Sequence, residues 1–161
     1  MKFAILSDTH DNIINFNKVI NWLNQEQIDT ILHCGDICKQ ETINETTKKF
    51  KGKIHFVRGN GDFGLDGIPE TMEIKLGGKR IFINHYPDIA KKMAESGKYD
   101  LVFYGHTHKP WLDRRSLGEG GKEKTCLLIN PGEVAGQHYK PTFALYDTVT
   151  EELELKILEK M

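Results

Sequence analysis

Five short apolar runs, each breaking off into a turn that carries Asp, Asn or His, constrain this chain more than any other feature. Phe3–Leu6 runs into Ser7-Asp8-Thr9-His10, Thr30–Leu32 into His33-Cys34-Gly35-Asp36, and Ile54–Val57 into Arg58-Gly59-Asn60-Gly61-Asp62. Ile81–Ile83 ends in Asn84-His85, and Leu101–Tyr104 in Gly105-His106-Thr107-His108. Short runs rich in β-branched and aromatic residues, bounded by polar residues or Gly, read as buried strands. If they neighbour one another in one sheet, their carboxyl ends converge on one edge, where open α/β sheets place ligands.

Between the first two runs, Phe16, Val19, Ile20 and Leu23 fall at i, i+3, i+4 and i+7, opposed by Asn17, Lys18, Asn21 and Asn24. That spacing predicts a helix from about residue 12 to 27 and, with its flanking strands, a βαβ unit. Further helices are expected over 40–50 and 88–96, the last closed by Gly97 in a left-handed cap. The second half favours hairpins. Gly77-Gly78 separates Glu73–Leu76 from Arg80–Ile83, Gly118–Lys122 separates Trp111–Leu117 from Thr125–Ile129, and Thr142–Asp147 precedes Glu152–Leu158. In the last segment Leu153, Leu155 and Ile157 should point inward, with Glu152, Glu154 and Lys156 outward. A βαβ half followed by hairpins predicts an α/β fold of two mixed β-sheets packed face to face and flanked by helices. The 161 residues suit a single domain spanning 1–161.

A net charge of −1 argues against a nucleic-acid binder held by charge alone. No apolar run approaches the ~20 residues of a membrane-spanning helix, and Met1–Asp8 turns polar too soon for a secretory leader. Cys34, Cys38 and Cys126 make an odd set, so a complete disulfide framework is excluded and a cytoplasmic location is expected.

Any one of these strand-end residues alone is most simply a turn or cap. Together, two Asp, one Asn and four His suit Mn, Fe, Ni, Co or Zn better than Ca or Mg, and there is no thiolate set for structural zinc. One shared carboxylate would hold two ions about 3.5–4 Å apart, as in two-metal hydrolases. Gly precedes Asp36, Asn60 and His106, as expected where a turn needs unusual backbone angles or close approach.

Asp8-x-His10, Gly35-Asp36, Gly59-Asn60, His85 and Gly105-His106-Thr107-His108 resemble the signature of the calcineurin-like metallophosphoesterases, especially their small single-domain microbial phosphodiesterases. The resemblance covers nearly the whole chain, including Asn130-Pro131-Gly132. It implies two divalent transition-metal ions, Mn first among the candidates. Asp8, His10, Asp36 and His108 would hold one, and Asp36, Asn60, His85 and His106 the other, with Asp36 bridging. Asp36, Asn60 and His85 count as catalytic residues as well as ligands. The implied reaction is hydrolysis of a small phosphodiester by a hydroxide bridging the ions, with nucleic acid entering only as substrate. A cyclic nucleotide, a nucleic-acid end and a small diester all stay open.

Many members of the superfamily carry His immediately after the ligand Asn; here that position is Gly61, so a general acid for a poor leaving group is missing. Tyr86 stands where relatives often have Gly and should alter the rim. Asn12, Asp62 and His138 are candidate substrate contacts, although Asn12 also fits a helix N-cap and Asp62 a turn cap. His33 reads as a core residue, His55 as having no chemical role, and Cys34 and Cys38 as two buried thiols. Two alternatives share the fold: an interaction scaffold like the retromer subunit of vacuolar sorting, and a phosphomonoesterase or nucleotidase. Exposed hairpin edges would permit a homo-oligomer.

Overall fold

The computed structural model describes residues 1–117 and 124–161. Two five-stranded mixed sheets lie face to face, as the run pattern predicts. The first, in order β10-β9-β1-β2-β3, contains β1 (Lys2–Leu6), β2 (Thr30–His33), β3 (Lys53–Phe56), β9 (Thr142–Asp147) and β10 (Leu153–Ile157). The second, β4-β5-β6-β8-β7, contains β4 (Thr71–Leu76), β5 (Lys79–Asn84), β6 (Leu101–Phe103), β7 (Trp111–Leu117) and β8 (Lys124–Asn130). β1, β2 and β3 run parallel, as do β5, β6 and β8. The five site-bearing strands therefore divide three and two between the sheets rather than sharing one. Their carboxyl ends still meet, because the sheets pack face to face.

Alternation along each strand feeds two cores at once. Phe3 and Ile5 join Leu32, Ile83, Phe103 and Ile129 between the sheets. Ala4 and Leu6 turn the other way onto helix α1 (Ile13–Gln25), meeting Phe16, Val19, Ile20 and Leu23, all fully buried. A third cluster seats α3 (Pro87–Ala94) on Phe82, Val102, Tyr104 and Leu128 of the second sheet. Removing a buried Leu or Phe from such a layer costs about 2–5 kcal/mol. Helix α2 (Gln40–Lys49) lies beside α1, tied to it by Asn17 and Glu45.

Gly77 and Gly78 both adopt positive φ in the β4–β5 turn, as a two-residue hairpin requires. The turn assigned to Gly118–Lys122 lies outside the described residues, although β7 and β8 pair antiparallel on either side of it. β10 departs from its expected alternation. Leu153 packs between the sheets, but Leu155, paired with Ala144, is 46% exposed. β10 and β7 are edge strands of opposite sheets, and a cleft of about 250 Å³ remains between them, lined by Leu112, Leu153 and Leu155. Lys156, expected in solvent, is half-buried with its amine over the Trp22 ring at 5.2 Å. Among the described residues no helix is long and apolar enough to cross a membrane.

Candidate metal centre

All seven strand-end donors converge. Asp8 and His10 follow β1, Asp36 follows β2, Asn60 follows β3, His85 follows β5, and His106 and His108 follow β6. Aiming them inward strains the chain. Asp8, His10, Asp36, His106 and His108 all adopt positive φ without being glycine, an arrangement costing on the order of 1–3 kcal/mol each. Such strain persists where the surroundings over-determine it, which is common at functional sites.

The donors form two linked sets. His108 Nε2 lies 3.3 Å from both His10 Nε2 and Asp8 Oδ1. On the other side, Asn60 Oδ1 lies 3.1 Å from His85 Nε2 and 2.8 Å from His106 Nδ1. Asp36 Oδ2 stands between the sets, 3.6 Å from His10 Nε2 and 3.5 Å from His85 Nε2. Ligand atoms of Asp8, His10 and His108 lie within 4.8 Å of one another, as do those of Asp8, Asp36 and His85. Asp8 thus reaches both sets, not only the first.

The hydrogen bonds fix which lone pairs face inward. His85 Nδ1 donates to the Cys34 carbonyl at 2.9 Å, and His108 Nδ1 to Glu133 Oε2 at 2.9 Å. In the neutral rings both Nε2 atoms then carry lone pairs, and His85 Nε2 faces the carbonyl oxygen of Asn60. Asp36 Oδ1 accepts from Gly61 N at 2.7 Å, leaving Oδ2 for the centre. Asp8 Oδ2 accepts from His106 N, but Oδ1 is buried with no hydrogen-bond partner. A buried, unpartnered carboxylate oxygen facing imidazole lone pairs is unfavourable without a cation. The donor set fits divalent metal.

In the absence of a cation, Asp8 and His10 shift each other's ionisation. Burial opposes ionisation of Asp8, but His10, His85, Ser7 and His108 outweigh it and hold the pKa below the usual carboxylate value. His10 is pushed above the ordinary imidazole value, first by its contact with Asp8 and against its burial, with further help from Asp36.

Close approach explains two of the site's glycines. A Cβ on Gly59 would sit 2.1 Å from Asp36 Oδ1, and one on Gly105 would sit 2.0 Å from Ser7 Oγ.

The three candidate substrate contacts separate. Asn12 caps α1, accepting from Asn15 N at 3.1 Å while its amide donates to the Ala135 carbonyl at 2.8 Å. Asp62 is buried, and its oxygens accept from the backbone of Asp36, Ile37, Cys38 and Gly59 at 2.6–2.9 Å. Both side chains are engaged in turns, Asn12 half-buried at the start of α1 and Asp62 fully beneath the Asp36 turn. His138 alone is exposed beside the centre, its ring 4.9 Å from that of His108. His33 is a core residue between Phe16 and Phe56. Cys34 is buried, but Cys38 is only half-buried, with Sγ 3.6 Å from His10 Nδ1. Burial and the nearby carboxylates of Asp11, Asp36 and Asp62 push that thiol up to about 12, so it stays neutral.

Glu133 is the residue that the sequence reading missed. It is fully buried and accepts from the backbone N–H groups of Gln137, His138 and Tyr139 as well as from His108. Burial opposes its charge, yet those donors keep its pKa low. Its only signal was position, one residue beyond Asn130-Pro131-Gly132.

Comparison with known proteins now adds to this geometry. The family model for the calcineurin-like phosphoesterase superfamily domain matches residues 1–151. The chain belongs to that superfamily. Phosphodiesterase MJ0936 of Methanocaldococcus jannaschii is 30% identical over 175 aligned positions, covering 99% of this chain and all of the relative. The solved structure of a novel archaeal phosphodiesterase superposes with a TM-score of 0.83 at 29% identity, covering 98% of this chain and 99% of that one. Vps29 from Entamoeba histolytica, solved with Zn²⁺, has a TM-score of 0.68 at 22% identity over 97% of each chain, a likeness of fold.

Proposed function

We propose that this chain is a phosphodiesterase working with two divalent transition-metal ions, Mn²⁺ foremost. The reading rests on Asp36, whose single free oxygen lies within 3.6 Å of an imidazole nitrogen from each donor set. Asp8, His10, Asp36 and His108 would hold one ion, and Asp36, Asn60, His85 and His106 the other. Bound there, the ions would supply Lewis acidity at a phosphoryl oxygen and water acidic enough to act near neutral pH.

The chain's own groups do the rest. Glu133 and the Cys34 carbonyl hold the protons of His108 and His85 on Nδ1, keeping Nε2 free for the centre. The Gly61 amide restrains one oxygen of Asp36 and leaves the other free. Gly61 has no side chain to protonate a leaving oxygen, and His138, exposed beside His108, is placed as a contact for the substrate's phosphate. The relationship to a curated phosphodiesterase over the full chain favours a diester substrate. Three free thiols accord with a cytoplasmic enzyme. The interaction-scaffold reading has only likeness of fold behind it, whereas all seven donors are kept here.

The test is to strip the protein, reload it with Mn²⁺, and follow bis-p-nitrophenyl phosphate while counting bound ions. Turnover that rises with the second ion is expected. Full occupancy without turnover of any diester would overturn the reading.

A further inference from the structure

The centre is flanked along the sheet edge by two clefts, each of which exposes a pair of aromatic side chains. β6, which leads into His106 and His108, has β5 on one side and β8 and β7 on the other. On the β5 side, a cavity of about 360 Å³ is bounded by Asn60, Phe63 and Tyr86. Phe63 is 89% exposed, and the Tyr86 ring lies 5.5 Å from that of His106. On the β7 side, a cavity of about 480 Å³ runs from Thr107, between the two His ligands, to Trp111 and Tyr139. Trp111 is 54% exposed, Tyr139 49%.

Scattered exposed aromatics are ordinary. Here two pairs stand on opposite flanks of one centre, in cavities of small-molecule size (about 300–1,000 Å³). Register explains Trp111. It pairs with Asn130 at the start of an edge strand, and Asp113 two residues on pairs with Leu128, so Trp111 and Asp113 share the face on which Leu128 packs beneath α3. The second cleft also carries Lys91, on α3, and Lys109, neither in an ion pair among the described residues. Arg58 and Arg115, by contrast, are engaged by Glu70 and by Glu95 and Asp113.

A phosphodiester has two ester arms leaving one phosphorus, so arms of a substrate at the metals would enter both clefts. Aromatic faces with unpaired amines beside them are the means by which proteins hold successive bases and phosphates of a single strand. We infer that the substrate is a nucleotide diester, a dinucleotide or the end of a single strand, with one base on Trp111 and Tyr139, the other on Phe63 and Tyr86, and, in a longer strand, the next phosphate at Lys91 and Lys109. This rests on the phosphodiesterase reading and narrows it from any small diester.

The chain has two tryptophans, so Trp22→Phe leaves Trp111 as the sole tryptophan, excited selectively at the red edge where tyrosine does not absorb. In that full-length protein, before metal loading, thymidylyl-thymidine is expected to quench the emission saturably, and dimethyl phosphate is not. In the Mn²⁺-loaded enzyme, Trp111→Ala and Phe63→Ala should each lower kcat/KM for thymidylyl-thymidine relative to methyl p-nitrophenyl phosphate by about 10-fold. Absence of quenching at millimolar dinucleotide overturns the inference, as does an equal loss on both substrates. A response from one flank alone overturns the two-sided assignment. Turnover of bis-p-nitrophenyl phosphate without quenching refutes base stacking only; quenching without turnover of any diester refutes the phosphodiesterase reading only.

Discussion

Glu133 Oε2 lies 2.9 Å from Nδ1 of His108 and fixes the orientation of a ring whose other nitrogen faces Asp8 and His10. The carboxylate is itself fixed by three backbone N–H groups from residues 137–139. Partners of this kind set the tautomer of a ligand imidazole, and their loss typically costs 10–100-fold in metal affinity. Glu133→Gln should therefore weaken one ion by about 10-fold or more and leave the second nearly unchanged. Titration calorimetry resolving two sites checks this; equal weakening of both would contradict it.

Asp62 predicts a different phenotype. Four backbone N–H groups end on its carboxylate, three of them from residues 36–38, which carry Asp36. Asp62→Ala leaves those donors buried and unpaired, at an expected loss of about 3 kcal/mol or more. Metal occupancy should fall as a consequence of the melted turn. A variant with normal Tm but lost activity would instead restore Asp62 as a substrate contact.

His33 makes stability depend on pH. Burial is the main cause of a pKa near 4, and the neutral ring accepts from Gly35 N at Nδ1. The unfolded ring binds its proton near pH 6.5, so the contribution is complete above that value and fades as pH falls toward 4. Between pH 7.5 and 5 it should amount to about 2 kcal/mol. Urea unfolding of metal-free protein should show a shallower pH dependence in His33→Gln than in the natural chain. Parallel curves would refute the assignment.

Much of this was legible in the sequence because strand runs and their terminal donors are local signals. Asp8, Asp36, His85 and His106 sit in the turns that follow apolar runs, and Phe16, Val19, Ile20 and Leu23 announce their helix by spacing. What was not legible depends on packing between distant segments. Glu133 meets His108 only because β8 lies beside β6, and Leu155 is exposed because two sheet edges fail to close. The division of five strands between two sheets is likewise a matter of tertiary arrangement, not of local pattern.

Gly61 predicts selectivity. With no side chain to donate a proton, turnover should fall steeply as the leaving group becomes more basic, since general acid assistance is worth about 10²–10⁴-fold. A Cβ at this position would lie 3.1 Å from Cys38 Sγ and 3.3 Å from the Asp36 carboxylate, so the variant is compared only at full metal occupancy. Gly61→His should accelerate alkyl esters by about 10²-fold and aryl esters little. Equal acceleration across a series of phenol pKa values would show that the new imidazole is not acting as an acid.

The most direct measurement is elemental analysis of Mn²⁺-loaded protein alongside Asp36→Asn, with bis-p-nitrophenyl phosphate turnover followed on the same samples. The natural chain should bind two ions and the variant should lose tight binding of at least one, with turnover falling at least 10²-fold, because one oxygen of Asp36 faces both donor sets. Two tightly held ions and undiminished turnover in Asp36→Asn would contradict the shared-carboxylate centre.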